Sequence, residues 1–272
     1  MSRQYHQQVK ALYHLNEFYQ QEGIRMMVLK GWALSLLYPV SEHRLFSDLD
    51  IYPYGDYKKA DELIRTKKGI RIDLSHHQHT VFMFEGVSVE NHYDMVNSHS
   101  HFRLLNEELK TLTQEVTDSV DGIYLPPPTC HALFLVQHSA REFAATNIPL
   151  RQLIDWWLFT QKYREQIDWD KVKNVAKQVR LDDFLPCLEA CANELLEGGI
   201  PLTDIQRRVY ENIWEGEDRE LQLDAKGESY YFAKMKRWWI NRWKNKLVYK
   251  KENLFMQFFT SLRSHWIKPV ID

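Results

Sequence analysis

The sequence predicts an α+β protein: a small mixed β-sheet with flanking helices, followed by an all-helical domain. Three observations carry this. Alternation with period 2, the mark of a half-buried strand, is confined to the first half, in Asp48–Tyr52 and in His79–Tyr93. Three consecutive prolines, Pro126 to Pro128, follow an Asp121-Gly122 turn and can continue neither a strand nor a helix interior. Beyond them, apolar residues recur at helical spacing. The division expected is therefore residues 1–125 for the sheet domain and 126–272 for the helical one.

Each element has a local reason. From about Tyr5 to Glu22, Val9, Leu12, Tyr13, Leu15, Phe18 and Tyr19 form a helical stripe, closed by Gly23 as a C-cap. Met26–Leu29 is an apolar strand that ends in a Lys30-Gly31 turn. A short helix is expected over Ala33–Tyr38, stopped by Pro39, and Val40–Phe46 is a loop. Asp48–Tyr52 alternates as a strand, and Tyr57–Lys67 places Ala60, Leu63 and Ile64 on one helical face. His79–Phe84 runs into Glu85-Gly86, a turn dipeptide, and Val87–Tyr93 returns as the second arm of a hairpin. After the prolines, Thr129 is a plausible N-cap for a helix over Cys130–Phe143. Further helices are expected at Leu150–Arg164, Asp170–Val179, Phe184–Glu197, Asp204–Trp214 and over much of Ser229–Trp266.

Composition narrows the class. An apolar share of 44% and a net charge of −2 exclude a disordered chain and a polyelectrolyte binder. The stretch Met1–His6 is polar and opens a helix, and no apolar run reaches the about 18–20 residues of a membrane span. A cytoplasmic protein without integral membrane association is expected. Cys130, Cys187 and Cys191 are too few for a disulfide framework and read as small core residues.

Asp48 and Asp50 stand at i and i+2 of one strand, so both project from the same face while Leu49 and Ile51 point into a core. Two carboxylates this close raise one another's pKa unless a cation lies between them. Hard divalent cations take oxygen ligands, commonly one or two carboxylates with substrate phosphates. The plain alternative for a bare D-x-D is a solvated strand end. Its surroundings argue otherwise: Arg44 and Ser47 precede it, and the Lys30-Gly31 turn leads into a helix start whose backbone N–H groups can meet phosphate. The pattern points to a Mg²⁺-nucleotide site.

These residues resemble the nucleotidyltransferase superfamily, the polymerase-β-like fold, whose signature is an apolar strand, a small-residue turn and then D-h-D/E-h. The chain is closer still to a branch described as uncharacterised nucleotidyltransferase. That branch reads roughly L-K-G-x-x-L, R-x-x-x-D-h-D-h and an E-x-H strand. Here those are Leu29-Lys30-Gly31, Arg44 with Asp48-Leu49-Asp50-Ile51, and Glu90-Asn91-His92. The resemblance covers the first half of the chain well and the second half loosely. It implies transfer of a nucleoside monophosphate from a nucleoside triphosphate, ATP among the candidates, to an acceptor hydroxyl, with Mg²⁺ or Mn²⁺. Asp48, Asp50 and a third carboxylate would hold metal, and Lys30, Gly31, Trp32, Arg44 and Ser47 would face the nucleotide. Trp32 departs from the pattern, standing where the superfamily has Ser or Gly, so triphosphate contacts would rest on backbone N–H groups and Lys30.

For the third carboxylate Glu90 is preferred. It shares a strand face with Ser88, His92 and Asp94, and a two-metal site needs more than two protein oxygens. Asp73 and Asp94 compete for the role, and a solvent-facing strand residue is the plain reading of Glu90. His92 lies one strand period on, as an orienting group, a nucleotide contact or a base, or simply as a hydrogen-bonded half-buried histidine. His76, His77, His79, His99 and His101 are expected to be solvated loop residues. In the helical half, Leu150–Asp155 matches the branch's L-x-x-L-x-D helix. His138 and Asp155 are the acceptor-side candidates, while Arg151 and Asp155 could simply pair at i, i+4.

Lys234–Lys251 holds eight basic residues and three tryptophans. The preferred reading is an amphipathic helix packing Met235, Trp239 and Trp243 with its cations solvated, ahead of RNA stacking or an anionic membrane surface. Two rivals to the enzyme follow: a nucleotide-binding regulator without turnover, for which Trp32 argues, and an RNA- or membrane-associated protein using that helix. The acceptor, whether small molecule, protein or RNA, is not readable from the sequence.

Overall fold

Strand β2 (Asp48–Tyr52) takes a central place in a six-stranded sheet, and its neighbours decide where the acidic side chains lie. The computed structural model describes residues 2–97, 102–115, 117–224 and 239–249. The other strands are β1 (Met27–Val28), β3 (His79–Phe84), β4 (Val87–His92), β5 (Ser119–Val120) and β6 (Ile123–Tyr124), in the order β3-β4-β2-β1-β6-β5. β2 runs parallel to β4 and β1 parallel to β6, while the pairs β1–β2, β3–β4 and β5–β6 are antiparallel, so the sheet is mixed as expected.

Helix α1 (Ser2–Gln21) ends as its Gly23 foretold. Gly23 takes φ +70°, and the N–H groups of Gly23 and Ile24 return to the carbonyls of Gln20 and Tyr19, the double bond of a Schellman cap. Leu12, Leu15 and Tyr19 of this helix pack with Leu49 and Ile51 of β2, with Phe82 and Val89 of the hairpin, and with Ala60 and Ile64 of α3 (Tyr57–Lys67). Burying Leu49 and Ile51 in that core turns Asp48 and Asp50 to the opposite face. The β3–β4 hairpin closes through Glu85 and Gly86, both at positive φ, the two-residue turn that matches strand twist.

Three local expectations change. Helix α2 is a single turn, Trp32–Ser35, rather than Ala33–Tyr38. Leu37 and Tyr38 donate to carbonyls only three residues back, so the chain tightens out of α-geometry before Pro39. The loop after it contains a 3₁₀ turn at Ser41–His43. Helix α5 (Pro128–Ala145) starts at Pro128, where a missing N–H costs nothing, and Thr129 is not its cap. The Thr129 hydroxyl instead accepts the N–H of Asp168 at 3.0 Å. Two further elements, α4 (Arg103–Leu112) and the β5–β6 hairpin, fall where no element was expected. Asp121 and Gly122, both at positive φ, form the turn of that hairpin, and the N–H of Tyr124 donates to Met26 O at 2.9 Å.

The chain divides into two compact units, residues 1–134 with 162–168, and residues 135–161 with 169 onward. The second unit is helical throughout its described elements: the end of α5, α6 (Leu150–Tyr163), α7 (Trp169–Gln178), α8 (Phe184–Leu196), α9 (Asp204–Asp224) and α10 (Arg242–Val248). Helix α9 runs past Trp214 but kinks at Gly216. Cys187 and Cys191 are buried and unbridged, as is Cys130 in the first unit. Residues 225–238 and 250–272, with much of the expected Ser229–Trp266 helix and Met235, lie outside the described residues. In the described part Trp243 packs edge-on against Phe143 at 5.7 Å, as expected of an amphipathic helix. Trp239, expected to pack, is 58% exposed, with the Arg242 guanidinium 4.4 Å from its ring centre. Lys244 is buried rather than solvated, its ammonium donating to Thr146 O and lying over the Phe143 ring. Among the described residues no helix is long and apolar enough to cross a membrane.

Candidate active site

The parallel register of β2 and β4 sets Asp50 opposite Glu90 and Asp48 opposite Ser88. Three carboxylates, from Asp48, Asp50 and Glu90, thus share one sheet face. Asp50 is the deepest at 1% exposure, while Asp48 and Glu90 are half-buried. Of the competitors, Asp94 is engaged elsewhere, its Oδ1 taking Lys110 Nζ at 2.5 Å and Asn106 Nδ2 at 2.8 Å. Asp73 is exposed and caps Ser75 N–H.

Lys30 enters this face by backbone geometry. The β1–β2 ladder continues to Leu29, whose N–H donates to Asp50 O at 2.9 Å, so the next residue leaves the strand beside Asp50. Its Nζ lies 3.1 Å from Asp50 Oδ1. Burial works against the ammonium, but Asp50, Asp48 and Glu90 together hold its pKa above the ordinary lysine value. Burial, and after it the Asp50 carboxylate, push Asp48 above the usual carboxylate range in spite of Lys30 and a hydrogen bond from Ser47 Oγ at 3.1 Å.

The histidines finish the cluster. His92 Nδ1 lies 3.1 Å from Asp94 O, and since a carbonyl only accepts, that nitrogen carries the proton. Its Nε2 faces Asp50 Oδ1 and Glu90 Oε2, each at 3.4 Å. Burial opposes charge on the ring, and the hydrogen bonds the ring donates to the two carboxylates outweigh it, raising the His92 pKa. Burial likewise opposes charge on Glu90, yet the His92 contact prevails and holds its carboxyl below the ordinary value. His79, expected to be solvated where the strand begins, is only 8% exposed. Its Nδ1 is buried, makes no hydrogen bond and lies 3.8 Å from Glu90 Oε2. Burial, then repulsion from His92, lower its pKa to about 4. His76 and His77 are exposed as expected, His76 stacking on His79 at 4.7 Å, and His99 and His101 lie outside the described residues.

Sequence reasoning missed His79, although a signal existed. A two-residue turn at Glu85-Gly86 fixes every cross-strand pair of the hairpin, and that register sets His79 opposite His92.

The remaining expected residues divide. Gly31 sits at φ +61°, ψ −106°, with Phe46 Cβ only 3.3 Å from where its own Cβ would be. Gly31→Ala is expected to cost about 1–3 kcal/mol in urea melts, since both backbone and space resist it; an unchanged midpoint would contradict this reading of the turn. The Trp32 ring is buried in the core, edge-on to Tyr13 at 6.2 Å, so only its backbone is left to face a nucleotide. Arg44 is buried, its guanidinium donating to Leu45 O at 3.2 Å, and Ser47 is exposed. His138 and Asp155 belong to the second unit; His138 Nε2 meets Glu142 Oε1 at 3.0 Å, one helical turn on, and Asp155 is buried.

A hard divalent cation fits this face. The donors are carboxylate oxygens on adjacent strands, and Asp48 is pushed toward its protonated form first by burial and then by the Asp50 charge, both of which a bound cation would offset. Lys30 and His92 nonetheless meet part of the charge that the bare D-x-D pair left open.

No curated protein matches this chain. A similar solved structure is the polyadenylate synthase of Megavirus, at 16% identity over 58% of this chain, with a TM-score of 0.38. The match spans 32% of that protein's length. Residues 1–197 match the profile of the family described as uncharacterised nucleotidyltransferase, and the chain belongs to that family.

Proposed function

We propose that the protein is a Mg²⁺-dependent nucleotidyltransferase that moves a nucleoside monophosphate from a nucleoside triphosphate to an acceptor hydroxyl. The observation that carries this is the β2–β4 register, which gathers Asp48, Asp50 and Glu90 on one face with the Lys30 ammonium 3.1 Å from Asp50. Asp48, Asp50 and Glu90 would hold the metal, Mg²⁺ or Mn²⁺, which when bound supplies charge for the triphosphate and the attacking oxygen. Lys30 and the backbone N–H groups of Gly31 and Trp32 serve the phosphates, with Arg44 and Ser47 on the loop that follows. The acceptor oxygen attacks the α-phosphorus, the bond to the β-phosphate oxygen breaks, and pyrophosphate leaves. The protein contributes orientation and fixed charge. Glu90, held below the usual carboxylate range, is a poor base near neutral pH and serves better as a ligand.

Burial of the Trp32 ring keeps the indole itself from filling the phosphate turn. The case for a regulator without turnover rests on Trp32 replacing a residue whose hydroxyl would meet phosphate; with the ring packed into the core, backbone N–H groups and Lys30 are left to take that role.

The test is a panel of the four nucleoside triphosphates with Mg²⁺ or Mn²⁺. One of them at about a hundredfold excess over its Kd should stabilise the protein by about 2.7 kcal/mol, and pyrophosphate should appear once an acceptor is present. Loss of the shift on chelation is expected. Failure of all four triphosphates to shift the melt with either metal would overturn the assignment.

A further inference from the structure

We propose that His79, Glu90 and His92 form a second cation site on the β3–β4 hairpin, one suited to a divalent transition metal of the zinc class rather than to Mg²⁺. It shares Glu90 with the proposed transferase site but rests on the hairpin's own geometry.

One donor atom from each of the three residues lies within 4.8 Å of the others. Glu90 Oε2 is the hub, 3.4 Å from His92 Nε2 and 3.8 Å from His79 Nδ1. In a tetrahedral site with bonds of about 2.0–2.1 Å, donors stand about 3.3–3.4 Å apart. The Glu90–His92 pair already has that spacing, and His79 must close in on both to complete the site. The donor set of two imidazoles and one carboxylate is one that zinc and its neighbours prefer, whereas Mg²⁺ takes oxygen.

Two details point to a ligand rather than to chance. The first is His79, whose Nδ1 is buried and aimed at Glu90 without a hydrogen bond. A buried polar nitrogen in that state carries a desolvation cost with nothing to offset it, and a metal bond would offset it. The second is the His92 tautomer. Its Nδ1–H is spent on the Asp94 carbonyl, the backbone arrangement that commonly orients a metal-bound imidazole, so Nε2 is the atom aimed at the cluster and coordinates once an ion displaces its proton. Asp50 Oδ1, 3.4 Å from the same Nε2, is a further oxygen within reach.

The two sites differ in chemistry, so they can be tested apart. The full chain, stripped with a chelator, is titrated with Co²⁺ alone and then challenged with Zn²⁺. One equivalent of Co²⁺ should bind with visible ligand-field absorption, Zn²⁺ should displace it, and millimolar Mg²⁺ should not. His79→Asn should weaken Co²⁺ binding at least about 100-fold, since loss even of an outer-shell partner costs 10–100-fold. Asp48→Asn should leave Co²⁺ binding within about threefold of wild type, whether or not nucleotidyl transfer proves correct. Should His79→Asn not fold, as judged by its melt without metal, Glu90→Gln on the half-buried hub carries the same expectation. Absence of Co²⁺ absorption, equal affinity in the His79→Asn or Glu90→Gln protein, or dependence on Asp48 would each overturn the site.

Discussion

Asp48→Asn is expected to reduce Mg²⁺-dependent transfer at least about 10³-fold, equivalent to about 4 kcal/mol of transition-state stabilisation, while the folded protein becomes no less stable. The two halves of this expectation have one cause. Asp48 stands on the same sheet face as Asp50 and Glu90, and burial followed by the Asp50 charge raises its pKa. A carboxyl whose folded pKa exceeds its unfolded one is charged at the expense of the fold. The native state then binds more protons than the unfolded state between the two values, so stability falls as pH rises through that window. Asparagine keeps the shape, can still accept from Ser47 Oγ, and removes the charge. Wild-type melts should therefore show this downward component above the ordinary carboxylate range, and the variant should lack it. Pyrophosphate release measures the first half and thermal melts across pH the second. A variant that keeps its activity, or that melts several degrees below wild type, would show that Asp48 serves the fold rather than the chemistry.

What the sequence made legible was whatever is written locally. β2, α3 and β3 have the expected limits, because each carries its periodicity and its own punctuation. The third carboxylate was readable because alternation along Val87–His92 divides its residues by face, and the register then sets Glu90 against Asp50. Elements that exist only through pairing were not legible. β5 and β6 have two residues each, too short for any period, and β6 is a strand because it lies against β1. The same holds for charge. Asp48 and Asp50 looked uncompensated because nothing in the spacing of Lys30 tells that its ammonium turns back to Asp50. Counting cations on the C-terminal helix treated Lys244 as solvated, yet the Thr146 carbonyl and the Phe143 ring give it buried partners about a hundred residues away in sequence. His79 was misplaced because its surroundings were read along the chain rather than across the hairpin, where His92 stands opposite it.

Lys30→Met is expected to lower stability by about 3 kcal/mol, the low end of the range for breaking a buried ion pair. Asp50 is 1% exposed, and loss of the ammonium leaves its buried charge facing His92 Nε2 at 3.4 Å without the nearer cation. For a chain of this size that corresponds to a fall in Tm of about 6–12 °C. The double variant Lys30→Met, Asp50→Leu should recover to within about 1 kcal/mol of wild type, because replacing a whole buried pair by apolar residues is often neutral. Activity should not follow stability. With Asp50 gone the double variant loses a metal ligand, and nucleotidyl transfer should stay as low as in Asp48→Asn. Recovery of the fold without recovery of transfer would separate the two roles of Asp50: partner to Lys30 in the metal-free protein, and oxygen donor when nucleotide and cation arrive. If Lys30→Met costs under about 1 kcal/mol, the pair is too well solvated for the buried-pair range to apply, and the Lys30 ammonium is then free to serve the triphosphate alone.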